Sequence, residues 1–192
     1  MVICYFGDSL TLGFGDDAGL GWPGRITNAL TKEDKTVTSY NLGVRKDTST
    51  QLQYRWKSEV TPRALPDTPL KLVFSFGVAD IASGVTGPES LAAGVAILTQ
   101  AKAMGDVMVV GPTPINDREK REEITILSRM IESMCKQMDI PFVPTIDSMY
   151  RSFVYGQALN DGDGVHPTAS GYADLAEHIL KSKTARKFFG LE

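Results

Sequence analysis

Short apolar runs alternate with segments of helical period along this chain, and that order restricts the fold more than any other feature of the sequence. The runs Val2 to Phe6, Val37 to Leu42, Leu70 to Phe76, Val107 to Val110 and Pro141 to Val143 have strand length. Several are apolar throughout, the pattern of parallel strands covered by helices on both faces. Between them Trp22, Ile26 and Leu30 recur at helical spacing, as do Leu52, Trp56 and Val60. Leu91, Val95 and Leu98 follow a Gly87-Pro88 start, and Ile124, Leu127, Ile131, Met134 and Met138 form a stripe opened by Asn116-Asp117 as caps. A last helix is expected from about Thr168, burying Tyr172, Leu175 and Ile179.

Strand and helix in turn predict one α/β unit, and 192 residues suffice for a single domain over 1–192. Right-handed crossovers then carry the loops that follow the strands to one sheet edge, where open parallel sheets bind ligands. Gly7 to Gly15, Gly43 to Thr50, Gly77 to Gly87 and Gly111 to Asp117 are expected to meet there.

Composition mainly excludes. With 42% hydrophobic and 22% charged residues and a net charge of -3, the chain has no basic stripe for nucleic acid. No stretch reads as a membrane span or a signal peptide, so a cytoplasmic protein is expected. Cys4 and Cys135 lie in apolar or helical patterns without metal-ligand spacing, and both read as buried free thiols.

Chemistry concentrates at the two ends. The first strand runs directly into Phe6-Gly7-Asp8-Ser9-Leu10, which sets a serine one step past a Gly-Asp turn. Taken alone, such a serine more often makes turn or capping hydrogen bonds. A nucleophilic serine needs a base that a third group orients, and the chain has two histidines. His178 lies inside the last helix and reads as packing. His166 lies in Asp161-Gly162-Asp163-Gly164-Val165-His166-Pro167, with a carboxylate three residues upstream. A tight turn lets Asp163 accept from one ring nitrogen and leaves the other for Ser9.

With these two motifs in this order, the sequence resembles the GDSL/SGNH hydrolase family over essentially its whole length. The resemblance implies a three-layer α/β/α sandwich of flavodoxin-like strand order around a central parallel sheet of about five strands. It implies a serine esterase or lipase-like acylhydrolase acting on small-molecule esters or thioesters through an acyl-serine. Ser9 would be the nucleophile, His166 the base and Asp163 its orienting partner, and no step calls for a metal or organic cofactor.

Two further segments carry the likeness and one departure from it. Asn41-Leu42-Gly43-Val44-Arg45-Lys46-Asp47-Thr48 resembles the family's second motif, whose glycine gives an N–H to the oxyanion hole. By that match Gly43 is a donor beside the Ser9 N–H, although a glycine there also suits a turn with positive φ. Gly77-Val78-Ala79-Asp80 matches the third motif, but Ala79 stands where the family has an asparagine whose side chain donates to the oxyanion. Losing one such donor costs about 10²–10³ in rate, so a slowed enzyme is expected.

Other readings stay open. A ligand-binding member of the fold that does not turn over its ligand, and an acyltransferase, both fit these motifs. Phe14, Trp22, Ile81, Val85, Ile115, Met149 and Tyr150 lie in or beside the edge loops and are candidates for an acyl pocket or for core. Arg45 and Lys46 read as solvated loop cations, with an anionic leaving group as the functional alternative. Oligomeric state is not legible.

Overall fold

The computed structural model describes residues 1–33 and 35–192. Along the chain run β1 (Val2–Gly7), α1 (Ser9–Leu12), α2 (Gly21–Lys32), β2 (Thr38–Gly43), α3 (Ser49–Val60), β3 (Leu70–Ser75), α4 (Val78–Ala82) and α5 (Gly87–Lys102). β4 (Asp106–Val110), α6 (Arg118–Gln137), β5 (Phe142–Val143), α7 (Ile146–Arg151), α8 (Phe153–Asp161), α9 (Ala169–Lys181) and α10 (Lys183–Phe189) complete it. The sheet is parallel, in the order β2-β1-β3-β4-β5, which is the flavodoxin-like arrangement expected.

Strand alternation divides the core into two layers. Val2, Cys4 and Phe6 face one way, onto Leu52, Trp56 and Val60 of α3, Ile97 and Leu98 of α5, and Leu127, Ile131 and Met134 of α6. Ile3 and Tyr5 face the other way, onto Trp22, Ile26 and Leu30 of α2, Tyr172, Leu175 and Ile179 of α9, and Phe188 and Phe189 of α10. Interior strand β1 is buried along its whole length, whereas edge strand β2 is exposed or half-buried throughout. Cys4 and Cys135 are buried free thiols. Burial pushes both up, Cys4 to about 11 and Cys135 to about 12.

Helix starts follow capping chemistry. Thr48 and Thr86 each accept from the third residue of their helix, and Gln51 and Glu89 answer back to the cap N–H. Asp117 caps α6 by accepting the Lys120 N–H. One helical face departs from expectation. α5 buries Ala93, Gly94, Ile97 and Leu98, while Val95 is 44% exposed. Gly94 explains the choice of face, since a Cβ there would meet Phe76 at 3.1 Å, so small residues let α5 approach the sheet.

At the carboxyl edge of the sheet a small cluster of Leu10, Val78, Ile115, Ile124 and Ile146 gathers α1, α4 and α6, with Val165 against it. It floors the region where the serine and histidine loops meet. Among the described residues no helix is long and apolar enough to cross a membrane.

Candidate active site

Each residue of the Gly-Asp-Ser-Leu turn has its own physical task. A Cβ on Gly7 would fall 2.2 Å from Thr11 Oγ1 and 2.3 Å from the Ser75 carbonyl, so the end of β1 fits under α1 only without a side chain. Asp8 is extended and caps α1, its Oδ1 accepting the Leu10 N–H at 2.9 Å. Leu10 anchors the turn in the edge cluster, leaving Ser9 half-buried at the first helical position. There the Ser9 N–H is one of the amides that a helix cannot use internally.

Burial pushes the Asp8 carboxyl up, and the N–H groups of Leu10 and Ala79 only partly offset it, leaving it at about 6. Its second oxygen accepts the Ala79 N–H at 3.3 Å. Ala79 therefore sits beside the serine turn, buried, with its amide facing Asp8 and no side-chain donor. Asp80 is also buried, accepting the Ser49 hydroxyl at 2.5 Å and the Ser49 N–H at 3.1 Å, which ties the start of α3 to α4.

The opposite wall is a turn wound around one carboxylate. Asp163 Oδ1 accepts the N–H groups of Val165 at 3.0 Å and His166 at 2.8 Å. Its Oδ2 lies 2.8 Å from His166 Nδ1. Burial works against this charge, but the His166 amide, its ring and the Val165 amide outweigh it and hold the carboxyl at about 2. Nδ1 is thereby the donor nitrogen, and Nε2, 2.7 Å from Ser9 Oγ, is left to accept the hydroxyl proton. The chain thus joins Ser9, His166 and Asp163 across 157 residues.

Neighbouring loops hold this turn in place. A Cβ on Gly162 would lie 2.2 Å from the His166 carbonyl, so the chain doubles back tightly there. Asn116 donates its backbone N–H to Gly164 O at 2.8 Å and its side-chain amide to Asn160 at 2.9 Å. Phe14 meets the imidazole edge-on, with centroids 4.8 Å apart. The roles of Asn116 and Asn160 have no signature in the sequence, because the contacts are between distant segments and both residues read locally as loop or helix-end asparagines.

The backbone of Gly43 differs from the turn with positive φ that a glycine there suggested: the left-handed residue of this loop is Lys46, at φ 64. The Gly43 N–H donates to Asn41 Oδ1 at 3.1 Å. Glycine is needed at 43 for contact, since a Cβ would fall 2.2 Å from Leu12 N and 2.9 Å from Asp8 O. Asn41 completes the clip by donating to the carbonyls of Thr11 at 2.9 Å and Leu12 at 3.2 Å.

Of the candidate pocket residues, Trp22, Ile115 and Met149 are buried in core clusters, and Tyr150 is 61% exposed. His178 Nε2 donates to the Pro144 carbonyl at 2.7 Å, which ties α9 to the segment before α7.

A buried-sheet α/β fold with a Ser-His-Asp constellation at its carboxyl edge defines a hydrolase architecture. The chain belongs to the GDSL-like Lipase/Acylhydrolase family, whose model matches residues 5–173. A lipolytic protein of the G-D-S-L family from Veillonella parvula is similar in structure, with a TM-score of 0.81 and 22% identity over 96% of this chain and 98% of that one. Axe2, an acetylxylan esterase from Geobacillus stearothermophilus, superposes with a TM-score of 0.80 at 19% identity, covering 100% of this chain and 94% of its own. TesA gives 0.81 at 20% identity, covering 98% of this chain and 99% of its own. A search of curated proteins returns no match.

Proposed function

We propose that this protein is a serine ester hydrolase that cleaves carboxylic esters or thioesters through an acyl-serine intermediate, with Ser9, His166 and Asp163 as its catalytic triad. The observation that carries this reading is the 2.7 Å contact between Ser9 Oγ and His166 Nε2, made by a ring whose other nitrogen is held by a carboxylate.

In the first half-reaction Nε2 takes the Ser9 proton as Oγ bonds to the carbonyl carbon. The tetrahedral oxyanion collapses, the leaving oxygen or sulfur departs with the proton from Nε2, and the acyl group stays on Ser9. Water then gives a proton to Nε2 as it attacks the acyl carbon, and when the bond to Oγ breaks and the acid leaves, Nε2 returns that proton to Ser9 Oγ. Asp163 stabilises the imidazolium in both halves.

The Ser9 N–H at the start of α1 is the oxyanion donor that the helix leaves open. The Gly43 N–H joins it only by giving up Asn41, and Ala79 supplies no side-chain donor. This shortage of donors also favours a second reading, a binding protein that keeps the scaffold and holds an ester-bearing ligand without turning it over.

Hydrolysis of p-nitrophenyl esters of increasing acyl length, run beside Ser9→Ala and His166→Ala, separates the two. Turnover that disappears in both variants supports the hydrolase. Equal background from all three proteins supports the binder. Product analysis with an added alcohol distinguishes hydrolysis from acyl transfer.

A further inference from the structure

Phe14 is where the serine segment, the histidine loop and the loop after β2 converge. Its N–H donates to the Ser9 carbonyl at 3.0 Å, and its own carbonyl accepts the Tyr172 hydroxyl at 2.7 Å, so its backbone is fixed from both sides. The ring meets His166 edge-on, and the Arg45 guanidinium lies over it with Cζ 3.7 Å from the centroid. Arg45 therefore stands one aromatic ring away from the imidazole.

The loop that carries Arg45 is built to present it. Residues 44–47 form a turn closed by the Asp47 N–H on the Val44 carbonyl at 3.2 Å. Lys46, in the third position, takes the left-handed backbone, which is disfavoured for a residue with a side chain and persists only where surrounding contacts impose it. Those contacts come from buried Asp47, which accepts from Arg55 Nε at 2.8 Å, while Arg55 also donates to the Gly7 carbonyl at 3.2 Å.

The two arginines have opposite fates. Arg55 is neutralised by Asp47 and Glu59. Arg45 is exposed, and among the described residues neither it nor Lys46 enters an ion pair. The Arg45 guanidinium over the Phe14 ring makes no side-chain hydrogen bond among the described residues, and its fork of N–H groups matches the two oxygens of a carboxylate.

We propose that Arg45 is a specificity-determining residue that binds a carboxylate on the substrate, so that the Ser9 site prefers esters carrying an anionic group near the scissile bond. This rests on the serine ester hydrolase reading. The neutral Phe14 face would hold the arginine in place while the ester carbonyl lies over Ser9.

The test compares kcat/KM for 4-acetoxybenzoate and its neutral isostere 4-acetoxybenzamide. The intrinsic reactivities of the two esters cancel when their ratio is compared between variants. Arg45→Gln is expected to lower the anionic-to-neutral ratio roughly tenfold, mainly through KM. Arg45→Lys keeps most of the preference because it keeps the charge, and Arg45→Glu falls below Arg45→Gln. Raising the salt to about 0.5 M shrinks the wild-type ratio and leaves that of Arg45→Gln in place.

An unchanged ratio in Arg45→Gln overturns the proposal, as does an equal fall for the two esters, which makes Arg45 only a support for Phe14. Cleavage that persists undiminished in Ser9→Ala removes the serine reading and this inference together. Cleavage lost in Ser9→Ala, with a charge ratio that Arg45 does not alter, removes only the role given to Arg45.

Discussion

Asp163 holds His166 twice, accepting the backbone N–H with one carboxylate oxygen and facing ring Nδ1 with the other, each at 2.8 Å. The group that orients the imidazole is thus also the group that shapes the turn carrying it. Side-chain rotation and backbone position are coupled through one carboxylate, which explains how a loop residue aims Nε2 at Ser9.

Asp163→Asn separates the two functions. The amide oxygen still accepts the Val165 and His166 N–H groups, but its NH2 faces Nδ1 and favours the tautomer with the proton on Nε2. By analogy with the serine-protease triad, kcat is expected to fall by roughly 10⁴. Thermal melting, read beside esterase kinetics, shows little change in Tm if the loss is one of tautomer. A variant with near wild-type kcat contradicts the assignment.

Asp163 also predicts acid behaviour. Its carboxyl is held at about 2, below the ordinary value of 3.8, so what it adds to stability is present above pH 3.8 and is lost as the pH falls toward 2. The side chain is 54% exposed, so that contribution is screened. The expected outcome is an Asp163 carboxyl resonance that shifts near pH 2 in NMR titration; a midpoint near 4 contradicts the clamp.

Asp8 runs in the opposite sense. Burial raises its folded value to about 6, so the folded state holds this proton more tightly than the unfolded chain does. Stability from this group is full below pH 3.8 and declines as the pH rises through 6, by at most about 3 kcal/mol. Urea unfolding of the wild type and Asp8→Asn at pH 4.5 and 7.5 tests this. The wild type should lose ground relative to the variant at the higher pH, and a constant difference contradicts the prediction.

Much of this was legible in the chain because it is local. Five apolar runs marked the strands, and the observed ends differ by a residue or so, as at β2, which runs Thr38–Gly43. The meeting of Ser9, Asp163 and His166 was readable because a turn and a three-residue spacing mark the two segments that come together. The short helices α1, α4, α7, α8 and α10 escaped because fewer than three turns repeat no apolar period. α8 even takes in Asp161, the first residue of the segment that carries His166. Val95 was misplaced because spacing does not reveal that Gly94 lies against Phe76. The contact of Arg45 with Phe14 is a tertiary fact that no local pattern encodes, whereas the Asn41 side chain meets the Gly43 amide two residues on, the local spacing of an Asx turn.

Gly43→Ala tests whether this glycine serves packing. Its Cβ would meet the Leu12 amide and the Asp8 carbonyl, so α1 must shift. A loss of roughly 1–3 kcal/mol in urea unfolding is expected, with activity falling as the serine turn moves. Unchanged stability contradicts the contact argument.

Ala79→Asn restores the side chain that the family places beside the serine. Turnover is expected to rise, by up to the roughly 10²–10³ that one oxyanion donor is worth, with KM less affected. Steady-state kinetics on one ester measures it, and an unchanged kcat removes position 79 from the oxyanion site.

Covalent labelling reaches the centre of the account. A fluorophosphonate, followed by peptide mapping, is expected to give one adduct, on Ser9, absent from Ser9→Ala and formed far more slowly in His166→Ala. An adduct on another residue, or labelling of Ser9 at the same rate without the imidazole, would contradict a serine activated by His166.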